Sequence, residues 1–405
     1  MNRQIMLLDM DSFFASVEEA QRPWLKGKSI IVVGGPDKRC AVNAASYAAK
    51  EKGIHGGMSL EQARRICPDG IYIQADLNKY VYVSGRIIEI LENFSPRVEP
   101  SSIDEAYLDI TGESRIFGSP FDIARKIKGK IADELDLVAS VGIAPNKTWA
   151  KIACETGKPD GLVVIDEQGI GVLAEKLSVD KMPGVGKSTC EILTKLGIIT
   201  IQDLARYSKQ VLINLFGKNG VCLHDLANGI DNSPVVSWQD LPLPKSVGHE
   251  YTMPMDIDNL DELLGILGWL TETVTTRMRS MNAHARTVQL KIRFSNYRTI
   301  IRRITVGEFA SEIEAYGYLR KLLLDYLPGG FSVRQIGVIF TGLEYSKSYR
   351  PKIPGIVSNI EQIRANEAVD QIKRRWGSDC IRWGRSAKWL LSKDNALLSC
   401  SNPLE

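Results

Sequence analysis

No stretch of the 405 residues approaches the roughly 20 uninterrupted apolar residues of a membrane span, so no membrane role is expected. An export signal is missing as well. The opening MNRQIMLLDMDSFF carries two aspartates where a signal peptide has an unbroken apolar core, and the expected compartment is the cytoplasm. Histidine is scarce: four residues (55, 224, 249, 284) lie far apart with no HxxxH-type pair, which argues against histidine-based zinc chemistry. Seven cysteines (40, 67, 154, 190, 222, 380, 400) occur singly and no CxxC is present. That excludes a zinc ribbon or dithiol motif and suits reduced, mostly buried thiols.

Strong net charge is lacking too, at +3, but the charge is unevenly placed. Residues 1–231 carry 28 Lys+Arg against 30 Asp+Glu, whereas 346–405 carry 11 against 6. The segment 286–303 (RTVQLKIRFSNYRTIIRR) has six basic residues and no acidic one. A near-neutral first half followed by basic segments suits a nucleic-acid partner. An apolar fraction of 44% and a charged fraction of 24% are those of a water-soluble globular chain, with length for two to four domains.

Residues 3–10 read as a strand interrupted by Asp9, a carboxylate that is costly to bury unless paired or metal-bound. A helix follows in DSFFASVEEAQ, then a buried strand in KSIIVVGG. Helices are expected over NAASYAAKEKGI, SLEQARRICPDG and 78–94. SSIDEAYLDIT reads as a strand with Asp104 and Glu105 in its middle; FDIARKIKGKIADEL is a helix, LVASVGIAPN a strand, and NKTWAKIACETGKPDG a helix running into a turn. This alternation implies an α/β or α+β unit to about residue 165. Next come short helices around a PGVG hairpin, a proline-bearing tether at 232–244, and a small α+β domain with four strands around helices 259–281 and 311–327. A helix at about 359–376 closes the pattern.

Asp9 and the Asp104–Glu105 pair are about 95 residues apart. Carboxylates on neighbouring strands can hold a hard divalent cation, and two such ions roughly 4 Å apart can serve phosphoryl transfer. Consecutive strand residues point to opposite faces, so Asp104 and Glu105 can share a site only near a turn or distortion.

LLDMDSFFASVEE, AASYAAKEKGI, SSIDEAYLDITG, SVGIAPNKTWAKIACETGKPDG and PGVG occur in the order and spacing of the Y-family DNA polymerases. The chain resembles that family, and its bacterial polymerase IV branch in particular, from residue 3 to about 345. The resemblance implies an α+β right hand: a palm at 1–19 and 78–165, fingers at 20–77, a thumb with helix-hairpin-helix at 166–231, a linker at 232–244 and an α+β little finger at 245–345. Residues 346–405 form a tail without an assigned role. It further implies a DNA-directed DNA polymerase for low-fidelity synthesis past damaged bases, without a second acidic cluster for proofreading. Two Mg2+ ions, replaceable by Mn2+, would be held by Asp9, Asp104, Glu105 and the Met10 carbonyl.

Phe14 takes the place of the family's steric gate and Phe13 packs under the incoming sugar or base. Tyr47, Lys50 and Lys158 match positions that touch the triphosphate. Ala44 and Lys50 depart from the usual hydroxyl and arginine, which should loosen that grip. Gly184, Gly186 and Lys187 of the hairpin, with Lys245, Arg293, Arg298, Arg302 and Arg303, are expected on DNA phosphates. Implied partners are primed template DNA, dNTPs and a replication sliding clamp, with the chain itself a monomer. QVLINLF at 210–216 resembles a clamp-docking peptide, but its Leu and Phe side chains are expected to pack the thumb instead. Two rivals are a nucleotide cyclase, which would lack the hairpin and basic domain, and a catalytically idle DNA-binding protein, which the intact acids oppose.

Overall fold

Strand β1 (Ile5–Met10) is buried at every position, as in a strand covered on both faces. The computed structural model describes residues 3–35, 39–345, 358–377 and 380–384. Two units divide between Leu241 and Pro242. In the first, β1 is followed by α1 (Phe13–Gln21), β2 (Ile30–Val33), β3 (Val42–Ala45), α2 (Tyr47–Lys50), α3 (Leu60–Ile66), β4 (Ile71–Gln74), α4 (Leu77–Glu92), β5 (Val98–Pro100) and β6 (Glu105–Asp109). Then come α5 (Ser114–Phe117), α6 (Pro120–Leu135), β7 (Ala139–Ala144), α7 (Lys147–Gly157), β8 (Leu162–Val164) and α8 (Glu167–Lys176). The main sheet has the order β5-β6-β1-β7-β8. Period 2 along β1 sends Met6, Leu8 and Met10 toward Ile87, Ile90, Ile123 and Ile127 of α4 and α6. Ile5 and Leu7 go the other way, toward Trp149, Ile152 and Cys154 of α7.

Local signals account for the helix starts. Ser119 and Asp122 form a reciprocal capping box on α6, with proline at its first turn. Asn146 caps α7 by accepting from the Trp149 N–H. Helix α7 lies so close to β7 that a Cβ on Gly142 would stand 2.1 Å from the Ala150 carbonyl oxygen and 2.2 Å from the Cys154 nitrogen.

One expected helix is a strand. Residues 43–45, the start of the NAASYAAKEKGI segment, belong to β3 (Val42–Ala45), and only Tyr47–Lys50 is helical. Ala44 and Ala45 pair with Val32 and Ile31 of β2. Burial of Val42 and Ala45 in that small sheet, of order β3-β2-β4, overrides the helix preference of alanine.

Helices α9 (Lys187–Lys195), α10 (Ile201–Arg206), α11 (Lys209–Phe216) and α12 (Lys218–Ala227) follow the PGVG turn. Before that turn stands one 3-10 turn, Val179–Lys181. The expected tether is pinned over its first half. Arg3 donates to the Ser233 carbonyl, Val236 N–H to Glu99 at 2.7 Å, and Trp238 Nε1 to Glu92 at 2.6 Å. Val235 is buried, so apolar packing and these bonds hold a segment whose prolines suggested freedom.

The second unit contains β9 (Ser246–Ile257), α13 (Leu260–Ser280), β10 (Ala283–Phe294), β11 (Thr299–Phe309), α14 (Glu312–Tyr326), β12 (Val333–Thr341), β13 (Glu344–Tyr345) and α15 (Ser358–Trp376). Its antiparallel sheet has the order β11-β10-β12-β9, with β13 on β10. Val288, Leu290 and Ile292 face a core completed by α13 and α14. Helix α15 is held by ion pairs: Arg279 grips Asp370 through two bonds of 2.7 and 2.8 Å and reaches Glu312 at 2.6 Å, while Lys373 meets Glu272 at 2.6 Å. The described part of the expected tail is thus packed structure. Residues 346–357 and 385–405 lie outside the described residues.

Candidate active site

The periodicity of β1 places Asp9 on its α7 side, and Asp9 is opposite Glu105 in the ladder to β6. Asp9 is only 4% exposed. Asp104 is not inside the strand as expected; it sits in the bend before β6, where its carbonyl accepts from the Met10 N–H at 2.9 Å. That bend frees Asp104 and Glu105 from strict alternation, and both line one cleft. The cleft, about 480 Å³, is lined by Asp9, Met10, Phe13, Phe14, Ala44, Lys50, Asp104, Glu105 and Lys158 among the expected residues.

Sequence reasoning missed Glu155, Ser12, Asn43 and Gly56, which line the same cleft. Carboxylate oxygens of Asp9, Glu105 and Glu155 lie within 4.8 Å of one another. Lysines answer this negative charge. Lys158 Nζ stands 2.7 Å from Asp9 and 2.8 Å from Glu155, and Lys151 Nζ binds both Glu105 oxygens at 2.7 and 2.8 Å. Residues 151, 155 and 158 share one face at the C-terminal end of α7. That helical spacing was the available signal for Lys151 and Glu155.

Electrostatics differ sharply between neighbours. Burial pushes the Asp9 carboxyl up; Lys158 opposes this and Glu105 adds to it. Burial would also raise Glu105, but its hydrogen bonds to Lys151 and Asp9 outweigh that and hold it below the usual carboxylate range. Lys158 loses stability as an ion through burial, yet Asp9 and Glu155 more than restore it and hold its pKa above the ordinary value. Lys50 is pushed below its usual value by burial and by the charge of Lys158.

The donor set is made of hard carboxylate oxygens with phosphate-compatible lysines beside them, which fits a Mg2+-class ion better than a soft metal. The Lys158 ammonium lies between Asp9 and Glu155, so their negative charge is compensated within the chain.

Phe13 is buried, whereas Phe14 is partly exposed to the cleft. The Phe14 ring stacks on Tyr80 at 4.2 Å between centroids and 12° between planes. The Tyr80 hydroxyl donates to the wholly buried Glu18 at 2.7 Å, fixing the stack from beneath.

Tyr47, expected on the triphosphate, is not among the residues lining the cleft. Its hydroxyl donates to Asp11 at 3.0 Å. Asp11 is buried and collects further donors from Ser140 and from the Asp160 N–H at 2.7 Å, since an unsatisfied buried carboxylate is costly. The Tyr47 ring instead lies 4.5 Å from Lys50 Nζ.

Gly184 has φ +91° and so needs glycine, while Gly186 caps α9. Both, with Lys187, are exposed. In the second unit Lys245, Arg298 and Arg303 are exposed and Arg293 is half-buried. Arg302 is not on the same sheet face as Arg303: its guanidinium lies 4.5 Å from the Tyr326 ring on α14, because adjacent strand residues alternate. Arg334 was missed; it and Arg293 flank the Tyr297 ring, each at 5.0 Å. Leu212 of the 210–216 segment is buried and Phe216 packs on the same core, within helix α11. Among the six described cysteines only Cys67 and Cys154 are buried; Cys222 and Cys380 are exposed, contrary to the expectation of mostly buried thiols. No helix among the described residues is long and apolar enough to cross a membrane.

The geometry can be set beside known proteins. The impB/mucB/samB family profile matches residues 8–155, its C-terminal domain 244–352, and a thumb domain described for DNA polymerase-iota 180–231. A DNA polymerase IV of Pelotomaculum thermopropionicum is 39% identical over 379 residues, 93% of this chain and 94% of that protein. One from Moorella thermoacetica is 38% identical over 380 residues, 93% and 94% of the two chains. A solved Y-family DNA polymerase chimera of Dbh and Dpo4 superposes with TM-score 0.77 at 29% identity, covering 85% of this chain and all of that one. An insertion ternary complex of Dbh DNA polymerase gives TM-score 0.59 at 28% identity over the same shares. Matches along nearly the whole chain set the cyclase alternative aside: the chain belongs to the Y-family DNA polymerases, as a metal-dependent DNA-directed DNA polymerase of the DNA polymerase IV kind.

Proposed function

We propose that the cleft between β1, β6 and α7 adds dNTPs to a primer 3′ end by two-metal phosphoryl transfer, with Asp9, Asp104 and Glu105 as the carboxylates and the Met10 carbonyl as a further ligand. The observation that carries this reading is the convergence of those acids with Phe14, Lys50 and Lys158 on one cavity. Bound Mg2+, or Mn2+ in its place, would supply Lewis acidity to the attacking hydroxyl and to the phosphates. The remaining work belongs to the chain. With the metals bound, Asp9 would be one of their ligands, and Lys158, 2.7 Å from Asp9 and 2.8 Å from Glu155 in the structure, would be a point charge for the triphosphate. Lys50 stands beside it on the same wall. Phe14, braced by Tyr80, walls the sugar side against a 2′-hydroxyl. Ala44 offers no hydroxyl there, so triphosphate grip rests on the lysines.

The main sheet with α4, α6 and α7 serves as palm, 20–77 as fingers and 166–231 as thumb, with 245–345 as little finger. The hairpin at Gly184, Gly186 and Lys187, the open sheet face bearing Arg293 and Arg303, Arg298 in the β10–β11 turn and Lys245 just before β9 are the proposed phosphate contacts. Bypass of damaged bases at low fidelity, a sliding clamp as partner, a monomeric state and a cytoplasmic location are carried by family resemblance. Burial of Leu212 in the core favours a packing role for 210–216 over clamp docking.

Primer extension decides the reading. The wild type extends a primed template with dNTPs in Mg2+, and Asp104→Ala loses at least about 1,000-fold in rate, an effect of the size expected when a charge-stabilising group is removed from a reacting centre. Near-wild-type extension by Asp104→Ala would refute it.

A further inference from the structure

Ser12 stands at the start of α1 and lines the cleft. Its backbone is left-handed, with φ 49° and ψ 43°, a region that residues other than glycine enter sparingly. A serine before a helix ordinarily turns its oxygen onto a free N–H of the first turn. Here no such bond forms. The Oγ is nevertheless buried, and among the described residues it has no hydrogen-bond partner. Ser16, one turn later, shows the contrast: its hydroxyl donates to the Asp11 carbonyl at 2.6 Å. A hydroxyl buried without a partner is costly. At a residue that also holds an uncommon backbone conformation in a reaction cleft, it is the pattern of a group kept for a ligand.

The donors around it are largely committed. Lys158 is engaged by Asp9 and Glu155, Lys151 by Glu105, and the Tyr47 hydroxyl by Asp11. Ala44, on the same wall, has no hydroxyl to offer. The first N–H groups of α1 have no acceptor within their helix, and no acidic residue stands in its first turn. This end of the cleft therefore holds donors without acceptors, which suits an anion.

We propose that the Ser12 hydroxyl donates to the β,γ-phosphates of the incoming dNTP, a role that rests on the cleft being the nucleotide site. The α-phosphorus, as the reacting atom, belongs beside Asp9, Asp104 and Glu105. The part that leaves as pyrophosphate falls to the remaining donors, and Ser12 adds to the grip of Lys50 and Lys158 without adding charge.

The test is single-turnover insertion by Ser12→Ala, which separates dNTP affinity from the rate of the chemical step, together with inhibition by inorganic pyrophosphate and a thermal melt without nucleotide. Affinity for dNTP should fall about tenfold, as for a lost bond to a charged group, with the rate at saturating dNTP within about twofold of wild type. The inhibition constant of pyrophosphate should rise by a similar factor, because that probe has neither sugar nor base. Tm should not fall, since the substitution removes a buried hydroxyl that has no partner. Unchanged dNTP affinity overturns the proposal. So does weaker dNTP binding with unchanged pyrophosphate inhibition, which would place the hydroxyl on the sugar. A lowered Tm with affinity and rate falling together would mark a structural role and overturns it as well. Ser12→Gly accepts the same backbone conformation and decides the question if Ser12→Ala fails to fold. Extension by the wild type and its loss in Asp104→Ala test the cleft itself, so a failure of the Ser12 assignment is distinguishable from a failure of that reading.

Discussion

Lys158 occupies the position where the acidic cluster most needs a cation, bridging Asp9 and Glu155. Removing its ammonium should therefore have two opposite effects. In Lys158→Met, Mn2+ binding without nucleotide tightens, as measured by electron paramagnetic resonance, because a competitor is gone. The KM for dNTP rises by about tenfold or more, the loss of one charged hydrogen bond. Equal weakening of both would show that Lys158 only supports the fold. Phe14 sits beside it on the cleft wall, held at 4.2 Å from Tyr80. Phe14→Ala should lower the preference for dNTP over rNTP by about tenfold or more in single-nucleotide insertion, since a shape-based sieve is lost. An unchanged ratio would remove Phe14 from the gate. Both residues were readable from short motifs. Glu155 and Lys151 were not, because the acids that give them meaning lie on strands remote in sequence; Lys151 is 46 positions from Glu105.

At the scale of elements, α7 is the platform of the site, since it carries Lys151 and Glu155 and ends at Lys158. Its approach to β7 depends on Gly142, where a Cβ would meet backbone at 2.1 Å. Backbone cannot yield as a flexible side chain can. Gly142→Ala should cost about 1–3 kcal/mol in denaturant unfolding, as overpacking does, and lower extension activity by displacing Glu155 and Lys158. A stability within about 0.5 kcal/mol of wild type would contradict the packing argument. Most elements were visible in the periodicity, including β9 to β12 and the two long helices of the second unit. The exceptions have a common cause. Residues 43–45 look helical by composition but help to complete a small sheet. Asp104 reads as mid-strand but occupies a bend. In both places a partner strand distant in sequence decides the backbone.

For the molecule as a whole, charge placement matters more than the net value of +3. The basic run at 286–303 supplies two faces rather than one. Arg303 is exposed on the open face, while Arg302 leans on Tyr326. If the open face meets DNA phosphates, Arg303→Ala should reduce the slope of log K against log salt by about one ion, and Arg302→Ala should leave it unchanged. Titration of labelled primer-template at several salt concentrations separates the two. Equal slopes for both variants would sink the assignment. The C-terminal helix adds a different use of charge: Asp370 and Lys373 are each 8% exposed and pair with Arg279 and Glu272. Composition alone read those residues as part of a basic tail.

The sequence by itself determined the family and the reaction class, through segments with distinctive local wording around Asp9, Phe14, Asp104–Glu105 and PGVG. Such motifs are contiguous, and contiguous chemistry is legible without a fold. Tertiary structure alone decided which side chains share a volume. It drew Glu155 into the cleft, turned Tyr47 toward Asp11, and separated Arg302 from Arg303. It also gathered His284, Glu308 and Glu344, from three strands, within 4.8 Å of one another. The physical reason is that strand pairing and helix packing set distances between residues far apart in the chain, and no local pattern encodes those distances.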